Sequence, residues 1–501
     1  MDIVAALAPS DKRVTSTHSN NAGFAHMKRV LLIGLGIVVT LGLLGGGALG
    51  AMMWRFTPDI PEAEYSVPAN QTEARLQDLD YLRKYPQADL SMDEAQLAAF
   101  YSLIDDLEAR AATMTEAEFV MGVSAAGAMP ENGHSGVSTT GTMNRLNSLP
   151  VRFAWFGDGL HIVRAHAEHA ELIGARVAAY EGLAPEDIVP RMDPYFGGND
   201  AFLRHNSVQF FAAPASLHAV GVIDQPDNVT LELAGPDGES FSQELSVEEA
   251  PTKLFYPAGY AIAKPHENET ESGHDWLFLD PAMTEATWFG RHPETVLWTD
   301  QLDHGGTYWR MRNVFGDDQT SVPDWLEEQA QLLRENPAEY LVLDLRANLG
   351  GDYTQAMSVA SELGELVKPD GRVYVLTDEA TFSAGIVTAY YALHGAGKQA
   401  VLVGEPMGDG LQFWAEGGGM PMTLPNSEIR LYASTGYHDW ENGCSDWSRC
   451  FWINILFDVA VGDADIDLPA PLLFSDYVRG VDSGIEAILA AEAARQEQGS
   501  N

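Results

Sequence analysis

Three short, unbroken apolar runs mark the second half of the chain: EYLVLDLR (Glu339 to Arg346), RVYVLT (Arg372 to Thr377) and QAVLVGE (Gln399 to Glu405). Each ends in glycine or polar residues, and stretches with helical spacing separate them. Runs that lack polar alternation predict strands buried on both faces of an α/β layer. VPDWLEEQAQLLREN (Val322 to Asn336) predicts the helix that precedes the first of them. From Val151 to about Pro251 the pattern is different. GLHIVRA, ARVAAYEG and the hairpin VTLELAGPDGESFSQELSV predict strands, the last turned at Pro-Asp-Gly. NDAFLRHNSVQFFAAPASLHAVGV reads as a helical insertion among them. ATWFG and TYWRMRNV predict further strands across 252–310. Earlier still, SMDEAQLAAFYSLIDDLEARAA and TEAEFVMGVSAAGAM predict two helices, opened by capping boxes at Ser91 with Glu94 and at Thr115 with Glu118. No repeat of solenoid period is present.

One apolar stretch has a different length. Val30 to Trp54 carries no charge and is long enough to span a bilayer, which takes about 20 residues. Lys28 and Arg29 precede it and the chain beyond Arg55 turns acidic. The positive-inside rule then predicts a cytoplasmic tail over 1–29, a single transmembrane anchor over 30–54 and a linker over 55–90. The bulk of the chain would lie in the periplasm or outside the cell, on a bacterial-type inner membrane. ALGA (Ala48 to Ala51) is a weak cleavage site, so a retained anchor is favoured over a removed signal. The glycines of that stretch read as helix-packing surface, not as a phosphate loop.

Composition narrows the field. Apolar residues make up 46% of the 501 and the formal charge is −43. A folded chain follows from the first figure, and the second excludes a general nucleic-acid binder, which needs Lys and Arg in excess. Cys444 and Cys450 are the only cysteines. Outside the cytoplasm they read as a disulfide closing a small loop; two free thiols are the alternative. No cofactor is implied, and no HExxH or other metal-spaced cluster occurs.

In an α/β layer, chemistry collects where strands end and helices begin. DLRANLGGD (Asp344 to Asp352) leaves a buried strand for a double glycine whose N–H groups can closely approach a ligand. TFSAG places Ser383 at a helix N-terminus, where free N–H groups favour a developing oxyanion. Taken alone, that serine is a helix cap and the Gly-Gly a turn.

Together, in this order and followed by VLVGEPMGDG, the two motifs resemble those of the serine peptidases of family S41, of the C-terminal-processing and tricorn types. LPVRFAWFGDGLHIVRA with LIGARVAAYEG resembles that family's PDZ-like module, and TYWRMRNVF its strand leading into the catalytic layer. The resemblance implies a crotonase-like/ClpP-like β-α superhelix over 252–490, a PDZ-like α+β module over 151–251 and an N-terminal helical segment with a histidine loop over 91–150. Joined to the anchor read from hydropathy, it implies a membrane-anchored, exported serine peptidase acting on a peptide or protein, with Ser383 as nucleophile and the N–H groups of Gly351 and Ala384 as oxyanion hole, Gly350 close behind. The lysine of the processing peptidases is absent. Asp409 stands in its place, and Lys398, before the strand, reads as a solvated turn residue. The tricorn-type branch uses histidine, and His134 in ENGHSG occupies the matching loop; imidazole titrates near neutral pH and suits the role. His304 is a rival, with His394 and His438 weaker ones. Ser135 could add a hydrogen bond. Glu441 is the expected orienting carboxylate, then Glu405. Asp344 and Arg346 read as fixing a strand end. The other reading is a non-catalytic relative that binds peptides or an apolar ligand.

Overall fold

Alternation inside the apolar runs decides how the central sheet is buried. The computed structural model describes residues 56–236, 238–248, 276–279, 286–318, 320–417 and 420–499, together with Gly46, Gly47, Gly50, Trp54 and Arg55. Six strands form the central sheet, and in chain order they are β8 (Leu297–Leu302), β9 (Gly306–Met311), β10 (Ala338–Asp344), β11 (Val367–Thr377), β12 (Ala400–Gly404) and β17 (Leu468–Pro469). Their spatial order is β17-β12-β11-β10-β9-β8, with β9 to β17 parallel and β8 antiparallel at the edge. On β10, Leu341 and Leu343 pack with Val373, Val375 and Leu402 on one face, while Tyr340 and Val342 pack with Tyr374, Leu376 and Val403 on the other. Side chains of a strand point alternately to its two faces, so a strand covered on both must be apolar throughout. The covering elements are helix α5 (Val322–Glu335) and helix α6 (Ala384–Ala396) on the first face, and helix α7 (Ser483–Gly499), through Ile485 and Ile488, on the second.

A second sheet lies between the N-terminal helices and this layer in sequence. Strands β2 (Val151–Phe156), β3 (Gly159–His166), β4 (Arg176–Tyr180), β5 (Asn228–Ala234) and β6 (Ser240–Ser246) pair antiparallel in chain order, and β7 (Trp276–Phe278) joins β3. The inserted helix α4 (Asp200–Ala212), capped by Asn199, packs on β2. Before them come α1 (Gln71–Leu82), α2 (Glu94–Arg110) and α3 (Glu116–Ala128). Two smaller pieces complete the site region. The first is the sheet β1-β15-β14 (Gly136–Val137, Arg430–Tyr432, Met422–Thr423), and the second is the antiparallel pair β13 (Gln412–Ala415) and β16 (Gly436–Asp439).

Three expectations are corrected. Most of the anchor expected over Val30 to Trp54 falls outside the described residues, and among the described residues no helix is long and apolar enough to cross a membrane. The described helical residues there, Gly46, Gly47, Gly50 and Trp54, are far short of the about 20 that a span requires. The single-pass anchor and the inner-membrane localisation drawn from it are therefore withdrawn; the cytoplasmic tail over 1–29 lies outside the described residues. The box expected at Ser91 and Glu94 is formed instead by Asp93 and Gln96, because the Ser91 hydroxyl is taken by Asp89 at 2.5 Å. Thr115 and Glu118 do form theirs. ATWFG is a run of turns, not a strand. The disulfide Cys444–Cys450 is present.

Candidate active site

The end of β10 is held by a buried ionic clasp. Arg346 reaches Asp344 at 2.6 Å and Asp482, one residue before α7, at 2.9 Å, with all three side chains at most 5% exposed. Burial works to raise the Asp344 carboxyl, yet the Arg346 guanidinium outweighs it and holds that carboxyl below its usual range. The Tyr308 hydroxyl donates to Asp344 as well. Beyond the clasp, the loop after β10 is locked to the loop after β11. The Asp378 carboxylate accepts from the N–H of Ala347 at 3.0 Å, and Phe382 N–H donates to the Asn348 carbonyl at 2.9 Å.

This pairing sets the conformation of Ser383. Its φ is 54° and ψ −124°, and although it stands at the N-cap of α6 its side chain caps nothing. A left-handed φ at a serine costs about 1 kcal/mol or more and persists only where its surroundings enforce it. Helix capping therefore does not account for this residue. The double glycine is explained by proximity. A Cβ on Gly350 would fall 2.7 Å from the Ser383 Cβ and 3.1 Å from its Oγ. Bonds from Val314 N–H to the Gly350 carbonyl and from Asp352 N–H to the Val314 carbonyl flank Gly351, so the N–H of Gly351 is turned away from Val314.

Ser383, Gly351 and Ala384 line one cleft of about 550 Å³, with His134, Ser135, Val137, Phe315, Tyr353, Val387, Phe413, Glu416, Tyr432 and His438 among its other walls. Ser383 and His134, 249 positions apart in sequence, thus meet in one cavity. His134 is held by stacking. Its ring lies 4.2 Å from that of Phe382 and 5.4 Å from that of Phe413. The row continues to Phe202 on one side, 4.0 Å from Phe382, and on the other to His438, 4.9 Å from Phe413, and then Trp440. Neither nitrogen of His134 has a hydrogen-bond partner. Its Nδ1 faces Asp409 Oδ2 at 3.6 Å, and that buried oxygen has no hydrogen bond either.

His438 is the second imidazole in the cleft and is placed differently. Asn454 Nδ2 meets its Nδ1 at 2.5 Å, and Asn454 Oδ1 accepts the Tyr353 hydroxyl at 2.8 Å. Nε2 of His438 lies 3.3 Å from Glu416 Oε1, at ion-pair distance but off the line of a hydrogen bond. The disulfide braces this wall through the bridge between Tyr437 and Cys450.

The remaining sequence candidates lie elsewhere. Glu441 is exposed and accepts from Gln412 at 3.2 Å; it is not a wall of the cleft. Ser135 lines the cleft, but its hydroxyl is committed to Asp89 at 2.6 Å. His304 sits in an exposed turn, His394 bonds to the Ala460 carbonyl, and Lys398 belongs to the turn before β12. Asp409 is the neighbour of His134 that sequence spacing did not assign.

Glu405 lines another, small cavity, of about 60 Å³, with Asp378, Glu379, Arg204 and His205. Arg204 of α4 pairs with Glu379 at 2.8 Å, tying the second sheet's helix to the loop that leads into Ser383. Burial pushes Glu405 up to about 7, with Glu379 and Asp378 adding like charge, and pushes Asp378 up to about 6. A carboxyl that holds its proton more tightly when folded contributes stability that is full below about pH 4 and is lost as pH rises through 6 to 7. Glu405→Gln is accordingly expected to be near neutral at pH 4 and stabilising by about 2 kcal/mol at pH 8, as read from denaturant midpoints at the two pH values. An equal effect at both would show that Glu405 ionises normally.

The fold is that of the S41-family peptidases. Over 86% of this chain and 99% of the other, it matches the structure of mature CPAF complexed with lactacystin at a TM-score of 0.54 and 12% identity. Mature CPAF without that compound matches at 0.50 and 14%, over 84% of this chain and 96% of the other. A putative S41 protease from Bacteroides fragilis aligns more loosely, at 0.29 and 14%, over 73% of this chain and 87% of the other. No family model and no curated protein matches the sequence itself, so the likeness is one of architecture.

Proposed function

We propose that this chain is a serine peptidase in which Ser383 attacks the peptide carbonyl. His134 takes the hydroxyl proton and returns it to the leaving amine. The N–H groups of Gly351 and Ala384 receive the oxyanion, and Asp409 positions the imidazole. The observation that carries the reading is the shared cleft: a serine in an enforced left-handed conformation, capping nothing, with an imidazole whose two nitrogens are unengaged. His438 is a poorer base because both of its nitrogens already face partners. A base and its orienting carboxylate are commonly spaced too widely before substrate binds, and the 3.6 Å between His134 and Asp409 fits that state. The antiparallel sheet over 151–251 with helix α4 is read as a PDZ-like module beside a catalytic unit over 252–490, presenting an extended polypeptide.

Labelling by a fluorophosphonate probe tests the nucleophile. Wild type is expected to label and Ser383→Ala not to; equal labelling of both would leave the scaffold as a binding protein. For the base, His134→Ala is expected to lower kcat by about 10²- to 10⁴-fold with the fold kept. Asp409→Asn is expected to lower kcat by about 10²-fold or more and to shift the acid limb of the kcat/KM profile, with partial rescue by Asp409→Glu. An unchanged profile would remove Asp409 from the mechanism.

A further inference from the structure

Among the described residues that line the cleft, Glu416 is the only carboxylate, and no lysine or arginine accompanies it. Its backbone has φ 69°, the left-handed region again at a residue that is not glycine. The Thr435 hydroxyl donates to its carbonyl at 2.7 Å. Its stem crosses Gly436, where a Cβ would lie 3.1 Å from Glu416 Cγ. The neighbouring Gly417 could not carry a side chain, since its Cβ would fall 1.6 Å from the Ala433 carbonyl oxygen. Strand β16 and its partner loop thus leave room for one acidic side chain and hold its backbone in a strained state to aim it.

In the chain Tyr353 to Asn454 to His438, each group donates to the next, so His438 accepts at Nδ1 and carries its proton on Nε2, toward Glu416. That nitrogen lies 3.3 Å from Glu416 Oε1 without a hydrogen bond to it, so the carboxylate head is left unengaged in the cleft. His438 is the only basic side chain within 4.0 Å of it among the described residues, and the Glu416 side chain is 26% exposed. A carboxylate at the wall of a substrate cleft, with no lysine or arginine paired to it among the described residues, is a socket for a cation supplied by the substrate.

We propose that Glu416 is a specificity residue that binds a cationic nitrogen of the peptide, either a lysine or arginine side chain or a free α-ammonium group. This rests on the peptidase reading and adds its substrate class. The apolar walls nearby, Val137, Val387 and Tyr432, suit the methylene stem of such a side chain. The chain's formal charge of −43 favours the approach of cationic peptides over acidic ones.

The test is binding to Ser383→Ala protein, which keeps the cleft whether or not the wild type is catalytic. Fluorescent peptides that are identical except for one lysine or norleucine are compared, each with a free and with an acetylated amino terminus. Norleucine keeps the stem and lacks the nitrogen. The lysine peptide is expected to bind about tenfold more tightly than the norleucine peptide, and addition of Glu416→Gln to erase the difference. A preference for the free over the acetylated terminus, also lost in Glu416→Gln, would assign the socket to the α-ammonium. Equal affinity for all four peptides overturns the proposal, even if fluorophosphonate labelling has upheld Ser383 as a nucleophile. Failure of labelling alone would overturn the peptidase reading and leave this comparison valid.

Discussion

Ser383→Ala is expected to remove peptide hydrolysis by three orders of magnitude or more while leaving the far-ultraviolet spectrum and the denaturant midpoint close to those of wild type. The residual rate should be what the oxyanion donors and substrate binding supply alone, roughly 10³- to 10⁴-fold over water. The structural cost should be slight because the hydroxyl makes no capping bond whose loss would fray α6. Alanine would inherit the same left-handed φ and the same contact with Gly350. Activity and stability should therefore part company at this residue. If the substitution lowered the midpoint as much as the rate, the hydroxyl would have a structural role and the catalytic reading would lose its main support.

Arg346→Ala should do the reverse, with its first effect on folding. Removal of the guanidinium takes from Asp344 and Asp482, both 1% exposed, their one ion-pair partner among the described residues. Breaking a buried ion pair from one side costs about 3–5 kcal/mol, because the remaining charge has no water to turn to. Here two are left. The loss should appear as a lower midpoint in guanidinium chloride with an unchanged slope. Arg346→Lys retains the charge but not the planar fork that contacts both carboxylates, so an intermediate loss is expected. A midpoint within experimental error of wild type for Arg346→Ala would mean that water or protonation relieves the two acids.

Much of the catalytic layer was readable before any coordinates, for a local reason. A strand buried on both faces must be apolar throughout, so β10, β11 and β12 announce themselves, and the junctions that follow them are short enough to quote. The serine and the glycine pair lie at those junctions. His134 needed more, since only a matching loop context singled it out among fourteen histidines. Which carboxylate faces His134 could not be read from spacing. Glu441 follows β16, where Asp439 points to Gln412 and His438 points to the cleft, and a shift of one or two positions decides which side an acid occupies. Asp409 and Glu416 are set by how β13, β16 and the loop before them pack on α6, which no periodicity encodes. The membrane expectation erred in another way: hydropathy counts apolar residues, and the described helices supply too few in one run.

The distance along the chain between Ser383 and His134 bears on how such a molecule is made. A protein emerging from the ribosome presents its N-terminal part first and folds in that order. His134 is synthesised before Ser383, which follows 249 residues later, and Asp482, which clamps Arg346 in the loop after β10, comes later still. Until α7 is in place the layer lacks the Asp482 half of its clasp. A chain cut between Ser383 and Asp482 should therefore carry both His134 and Ser383 on a layer whose Arg346 keeps one carboxylate partner instead of two, and should unfold at lower denaturant.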